Sequence, residues 1–381
     1  MDIFFIAPFA DPEKGAAVVR ANSFRDFFCS KGHSVMLLAP ARNGILSTEQ
    51  VFRYRGIFSL ARHLFKNDFD VLIGTSPLLL DIFVSILICK IKRKPFVFDS
   101  KDLFTANQET LGLLKKNTLK FQAYRFIERF SHRQASKILV LDLQIGKVLC
   151  KDHGINPEKI LLAANGVDTA VIHPVLGKRE TRKQLSIPQK ARLLVYMGGL
   201  GDEQYLQFLQ TTAPLLKKHR TFVLFVIASD HSEMAKQQLY QIQSRVEQLG
   251  IQNRFRLVVN VPHPEIPRYL SAADAGLDFL GNFPHFPITV KILEYMACGL
   301  PAMVKSPRDS TNYGAFFSKY DTGFSASTWP EFYAQTESVL GAFSAFRKKG
   351  RKGPHIIKSG FTREITNKKV LQILEELYAL R

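Results

Sequence analysis

Cysteine is scarce in this chain of 381 residues. Cys29, Cys89, Cys150 and Cys298 lie far apart, form no C-x-x-C pair and have no histidine cluster beside them. That argues against a disulfide framework and a metal centre, and makes a reducing cytoplasm the expected home of four buried free thiols. Acid is scarce too: Asp and Glu number 33 against 52 Lys and Arg, a formal charge of +19. Such an excess draws phosphate-rich partners, whether nucleic acid, an anionic membrane face or a phosphorylated substrate. No recognised nucleic-acid motif is present, so nucleic acid is not an expected partner. The opening MDIFFIAPFA has neither a basic leader nor a small-residue cleavage site and reads as a first strand. Internal repeats and low-complexity runs are also lacking.

One apolar stretch is long enough to be taken for a membrane span, Val71 to Ile91. Asp81 sits at its centre, and Gly74-Thr75-Ser76-Pro77 interrupts it. Charge within a bilayer is expensive. A buried strand, a turn and an apolar helix are therefore expected.

What is present is globular: 46% hydrophobic and 22% charged residues, in a length that fits two domains of about 150–200 residues. Short apolar runs at Ile3–Ala7, Val35–Ala39, Val71–Ile73, Phe96–Phe98, Ile138–Leu141 and Ile160–Ala163 alternate with helical stretches such as Ala17–Lys31 and Leu79–Lys92. The pattern pauses at His173-Pro174 and the charged stretch Gly177–Lys183, placing a linker around 172–186. It restarts with strands at Leu193–Met197, Phe222–Ala228, Phe255–Val259, Ala275–Phe279 and Pro301–Lys305. Helices at Tyr205–Lys218, Met234–Leu249, Glu265–Ala272 and Ile292–Cys298 fall between them. Strand-helix alternation predicts parallel sheets covered on both faces. The basic run Arg347–Lys352 reads as a solvated loop, and Thr362–Leu380 as a closing helix.

Open parallel sheets bind ligands at the carboxyl ends of their strands, which directs attention to the strand-to-helix turns. Gly15 opens the first helix, with Arg20 on its second turn. Gly198, Gly199 and Gly201 form a glycine-rich turn suited to a phosphate, without the spacing of a Walker loop or a dinucleotide fingerprint. Ile288 to Pro301 forms a loop and short helix whose N-terminal amides suit a diphosphate, and in which Lys291, Ile292 and Glu294 are candidate donor contacts, Glu294 for ribose hydroxyls. The stretch Leu113–Lys137 carries Arg125, Arg129, Arg133 and Lys137 at four-residue spacing among apolar residues. It reads as either an ordinary domain helix or one resting on anionic lipid.

The run K-I-L-E-Y-M-A-C-G-L-P at 291–301 resembles the nucleotide-sugar motif of the retaining GT-B glycosyltransferases of family 4. Other segments resemble the family in order: Gly15 with Arg20, Lys31–Val35, Asp99–Phe104, Asn165-Gly166-Val167-Asp168 with His173-Pro174, Tyr269–Asp274, and the closing helix. The resemblance implies an α/β GT-B architecture of two Rossmann-like domains facing each other across a cleft. The expected domains are an acceptor domain at 1–174, a nucleotide-sugar domain at 175–360, and a helix at 361–381 that returns to the first. It also implies transfer of a sugar from a UDP- or GDP-sugar to a glycan or lipid-linked acceptor. Configuration would be retained, and neither an obligatory metal nor another cofactor would be needed. Asp102 is the expected catalytic residue and Asp99 the fallback, while Asn165 and Asp168 are expected to shape a turn.

The chain departs from the family pattern where charge is usual. Phe286 replaces a Glu, Gly199 an Arg and Gln204 a Lys, and Ala228-Ser229-Asp230 replaces a glycine-containing turn. Losing one diphosphate-binding cation costs about 3–4 kcal/mol in comparable sites. Lys291, Arg20, Lys101 and Lys305 are the candidate substitutes. The alternative is a catalytically degenerate relative acting as a binding or partner subunit.

Overall fold

The computed structural model describes residues 1–13, 15–42, 44–199, 203–228, 233–280, 287–307 and 311–380. The chain forms two compact units, Met1–Asn165 with Arg363–Arg381, and Gly166–Thr362.

The first unit is built on seven parallel strands: β1 (Asp2–Ile6), β2 (Ser34–Pro40), β3 (Val51–Tyr54), β4 (Val71–Thr75), β5 (Phe96–Ser100), β6 (Lys137–Val140) and β7 (Ile160–Leu162). Their order is β3-β2-β1-β4-β5-β6-β7. Ile3 to Ile6 are all buried, as a strand covered on both faces requires. Helices α1 (Ala16–Ser30), α2 (Gly56–Lys66), α3 (Leu79–Lys92), α4 (Phe104–Thr110), α5 (Leu119–Gln134) and α6 (Leu143–His153) follow in chain order. One core lies beneath α2, α3, α5 and α6, through Leu60, Ile82, Ile127 and Leu149. The other joins α1 to the C-terminal helix, Arg363–Ala379, through Phe24, Phe28, Val370 and Leu374. Asn367 fastens that helix by donating to Ser23 O and Oγ, both at 2.9 Å.

Among the described residues the second unit has six parallel strands: β8 (Arg192–Met197), β9 (Phe222–Ala228), β10 (Phe255–Val259), β11 (Ala275–Phe279), β12 (Ala302–Lys305) and β13 (Gly323–Ala326). Their order is β10-β9-β8-β11-β12-β13. Helices α7 (Lys178–Gln184), α8 (Glu203–Lys218), α9 (Glu233–Gln248), α10 (Ile266–Ala272), α11 (Val290–Ala297), α12 (Thr311–Tyr320), α13 (Trp329–Gly341), α14 (Phe343–Lys349) and α15 (Gly353–Gly360) surround it. In each sheet the strand order reverses once, between β1 and β4 and between β8 and β11. Those are the switch points where ligands bind in open α/β sheets.

Four sequence expectations need correction. The expected linker at 172–186 contains α7 and belongs to the second unit, with Ile172 and Ile187 in its core. Arg182, 3% exposed, anchors α7 by donating to Asp274 Oδ2 (2.7 Å), Ala191 O (2.7 Å) and Ala272 O (3.0 Å). The first unit's leading segment ends at Asn165, nine residues before the expected boundary, because Val167 is already buried in the second core. The basic run 347–352 is helical and not a loop. Lys349 and Lys352 both reach Asp321, at 2.8 and 2.9 Å. The helix expected across Leu113–Lys137 begins only at Leu119, capped by Thr118. Of its four regularly spaced cations, three are committed: Arg129 donates to Asp152 O, Arg133 to His153 O at 2.9 Å and Lys137 to Glu158 O at 2.9 Å. The stretch after Val71 is β4, a turn and α3, and no helix among the described residues is long and apolar enough to cross a membrane.

Candidate functional site

In the first unit the switch point gathers the loop after β1, the turn after β4 and the loop after β5. Gly15 caps α1 at φ +124°, a conformation that favours glycine, and the space where a side chain would stand is open. Arg53 on β3, which sequence reasoning missed, organises the approach to it. Its guanidinium donates to Ala10 O (2.7 Å), Asp11 O (2.8 Å) and the Glu13 carboxylate (2.7 Å). Arg20 is not a free cation. It grips buried Asp99 through two bonds of 3.0 and 2.8 Å and reaches Asn165 Oδ1 at 3.3 Å. Thr75 Oγ1 also donates to Asp99, at 3.1 Å. Asp99 is thus consumed by structure. Asp168 shapes its turn by accepting from Ala170 N at 3.0 Å.

Asp102 differs from Asp99. Its Oδ1 is shielded from solvent and has no hydrogen-bond partner among the described residues. Burial raises its pKa above the ordinary carboxylate value, opposed by the Ser76 hydroxyl, the Lys101 charge and Asn107. Burial lowers the Lys101 pKa, with Asp99 pulling the other way. A poised carboxyl beside a partly desolvated ammonium is a reasonable acid-base arrangement.

In the second unit the constellation stands where β8 and β11 part. Asp278, fully buried on β11, accepts from Thr289 Oγ1 at 2.7 Å and from Lys291 Nζ at 2.8 Å. Burial acts to lower the Lys291 pKa, but the Asp278 carboxylate and Tyr196 outweigh it and hold it above the usual lysine value. The ammonium lies 4.9 Å from the Tyr196 ring centroid. A Cβ on Gly198, whose φ is +145°, would stand 3.2 Å from that ammonium, so glycine here makes room for the cation. Gly199 faces open space and accepts from Tyr196 Oη at 2.7 Å. Thr289 precedes α11 but turns its hydroxyl to Asp278, so it does not cap the helix. Glu294, one turn along and 4% exposed, lies 3.1 Å from His263 Nε2.

Ile292 is fully buried in the core, so only its backbone is available to a ligand. Lys305 is buried 5.7 Å from the Trp329 ring centroid. Gly201, Phe286 and Ser229-Asp230 lie outside the described residues, as does the side chain of Gln204. Asp278 and His263 were missed. The only sequence signal for Asp278 is a carboxylate inside an otherwise apolar strand. A concavity of about 760 Å³ lined by Arg179, Lys183 and Ile187 touches neither constellation.

The pairing gives a stability prediction. Lys291→Ala leaves the Asp278 carboxylate buried with only a hydroxyl for company, which costs about 3–5 kcal/mol. Urea unfolding should show that loss, and adding Asp278→Asn should recover most of it. Independent, additive losses would mean the two groups are not coupled.

Comparison with known proteins follows the two-unit division. Residues 177–324 match the model of glycosyl transferases group 1, and residues 15–171 match that of glycosyltransferase family 4. A GDP-Man:Man(3)GlcNAc(2)-PP-Dol alpha-1,2-mannosyltransferase from Neurospora crassa is 25% identical over 225 residues, 56% of this chain and 39% of that protein. The match thus spans about two fifths of that relative. Sucrose-phosphate synthase from Thermosynechococcus elongatus superposes with a TM-score of 0.78 at 15% identity, over 100% of this chain and 99% of that one. Anabaena HepE in complex with UDP gives 0.75 at 15% identity, over 99% and 100%. Two Rossmann-like parallel sheets, two adjoining family matches and this shared fold establish that the chain belongs to the group 1, family 4 glycosyl transferases of GT-B architecture.

Proposed function

We propose that the protein moves a sugar from a UDP- or GDP-sugar to a glycan or lipid-linked acceptor. Configuration is retained and no metal ion is obligatory. The observation that carries this reading is Lys291, held charged by Asp278 against the Gly198 turn, with Glu294 one helical turn away. Cleaving the sugar–phosphate bond builds negative charge on the leaving diphosphate. Lys291 and the first-turn amides of α11, which the Thr289 side chain leaves uncapped, meet that charge, and fixed donors in a low-dielectric site are effective there. Glu294 accepts from the ribose hydroxyls. In the first unit, Asp102 orients the acceptor hydroxyl and takes its proton. The Neurospora relative's name carries GDP-mannose and a dolichol-linked acceptor, and HepE binds UDP and UDP-glucose, which supports a nucleotide-sugar donor. We place the protein in the cytoplasm, peripheral on the inner face of an anionic membrane.

Two observations favour the degenerate reading instead: Gly199 supplies no cation, and the Lys291 charge is already matched by Asp278. A thermal-shift screen with UDP, GDP and their sugars separates the cases. One nucleotide should raise the melting temperature, by about 2.7 kcal/mol of stabilisation at a hundredfold excess over Kd. Glu294→Ala should weaken that nucleotide about tenfold or more, the worth of a charge-assisted hydrogen bond. Binding without sugar transfer, or no shift with any nucleotide, would overturn the transferase reading and favour the partner-subunit one.

A further inference from the structure

Helices α2, α3 and α5 lie side by side on one face of the first sheet, and their outward surfaces are unusually apolar. On α2, Phe58 is 92% exposed and Phe65 49%. On α3, Leu80, Leu87 and Ile91 fall at helical spacing on the side away from the core and are 43%, 39% and 69% exposed. On α5, Leu119 is 90% and Phe126 64% exposed. The last two helices are joined into one apolar strip: Phe83 of α3 packs against Phe130 at 5.1 Å between ring centroids, and Phe130 against Phe126 at 6.2 Å. A soluble surface seldom concentrates large side chains in this way without a partner.

Charge around the strip is mostly of one sign. Arg62 and Lys66 of α2, Lys90 of α3, and Lys120 and Arg125 of α5 are all exposed. The three helices contain only two carboxylates, and neither is free outward. Asp81 accepts from Tyr54 Oη at 2.7 Å, and Glu128 is 3% exposed and accepts from Thr105. Nearby Asp68 and Glu109 are each paired to a lysine, at 3.0 and 2.9 Å.

We propose that the outward face of α2, α3 and α5 is a docking surface for an anionic lipid bilayer, with the protruding apolar side chains entering the headgroup boundary and the flanking cations meeting lipid phosphates. Protruding side chains on a helical layer, flanked by lysine and arginine in excess over acid, have the two components that interfacial membrane binding needs. An acidic protein partner would match the cations but not seven exposed apolar groups spread over three helices. The proposal deepens, and rests on, the membrane part of the reading above. It does not depend on catalysis. It also replaces the simpler picture of α5 alone as the lipid contact, because Arg129, Arg133 and Lys137 serve neighbouring carbonyls.

The test is co-sedimentation of the full chain with phosphatidylcholine vesicles, with and without phosphatidylglycerol, at low and high salt. The chain should bind the anionic vesicles, more weakly in high salt. The triple variant Phe58→Glu, Ile91→Glu, Phe126→Glu should lose at least tenfold of that binding with an unchanged melting curve, since all three side chains are exposed. Lys368→Glu with Lys369→Glu, a larger charge change on the C-terminal helix across the sheet, should bind like the parent. Parent binding that the triple variant retains would overturn this face and leave the membrane reading standing. No binding by the parent would overturn both. Self-association without lipid that the triple variant abolishes would identify the face as a contact between copies and overturn the proposal.

Discussion

Asp102→Asn is expected to slow sugar transfer by about 10²- to 10⁴-fold, the usual worth of a positioned general base, without destabilising the protein at neutral pH. The stability half follows from sign. Burial raises the Asp102 pKa in the folded state. A carboxyl raised in this way contributes most below its unfolded pKa, and the contribution is lost as pH rises through the folded value. At pH 7–8 an uncharged, isosteric asparagine removes the cost of desolvating the carboxylate. The variant should therefore melt no lower than its parent. Asp99→Asn should do the opposite, weakening a buried carboxylate that holds Arg20 twice and Thr75 once. Transfer rates with the donor found by the nucleotide screen, set beside melting curves, decide the matter. Unchanged kcat in Asp102→Asn would remove it from the chemistry, and a parallel loss of kcat and stability would make its role structural.

The largest effect on stability should come from acid, through His132 and His153. His132 is completely buried. Its Nδ1 lies 2.8 Å from Glu128 O and 3.2 Å from His153 Nδ1, and its Nε2 lies 2.9 Å from Ser100 Oγ. One pair of neutral tautomers satisfies all three contacts: His132 Nδ1–H donates to Glu128 O, while its Nε2 accepts from Ser100 and His153 Nδ1 stays unprotonated. Protonating His153 there would set N–H against N–H. Burial, with the neighbouring His153, pushes the His132 pKa down to about 3. Burial and the charges of Arg129, Arg125 and Arg133 push His153 down to about 4.

A depressed histidine contributes its full stability above the unfolded pKa near 6.5 and loses it as pH falls toward the folded value. Between pH 6.5 and 4 the pair should thus lose on the order of 5 kcal/mol. Glu128 works against this. Burial, opposed by Thr105, raises its pKa to about 7, so its contribution grows as pH falls from 7 toward 4.5. Urea unfolding from pH 7 to pH 4 should therefore show a steeper acid loss in Glu128→Gln than in the parent, and a shallower one in His153→Asn. Identical slopes in all three proteins would place the acid sensitivity elsewhere.

Much of the fold was legible in the sequence because parallel strands buried on both faces are written as continuous apolar runs. Phe222–Ala228 and Ala275–Phe279 stand where that pattern puts them. The two strands it missed are edge strands with weak signals. Val51–Tyr54 carries Arg53, and Gly323–Ala326 is short and contains Gly and Ser. The charged stretch taken for a linker illustrates a different limit. Arg182 looks solvated in sequence, and only the fold brings it to Asp274, 92 residues away.

The candidate site divides in the same manner. Lys291 and Glu294 were legible because helix spacing and a local motif placed them together. Their partners Asp278 and His263 were not, because each arrives from another element. Nor could sequence show that Arg20 and Lys291, two of the proposed substitute cations, each carry a carboxylate already.

The first unit is discontinuous, with Gly166–Thr362 standing between its two parts. Synthesis runs from the amino end, so the whole intervening unit has emerged before Val370 and Leu374 can cover Phe24 and Phe28. The earliest part of the chain to be made is thus among the last to be finished, and waits with an apolar face open. A chain cut short before its final helix would fail at its beginning, exposing a surface of the kind that chaperones bind.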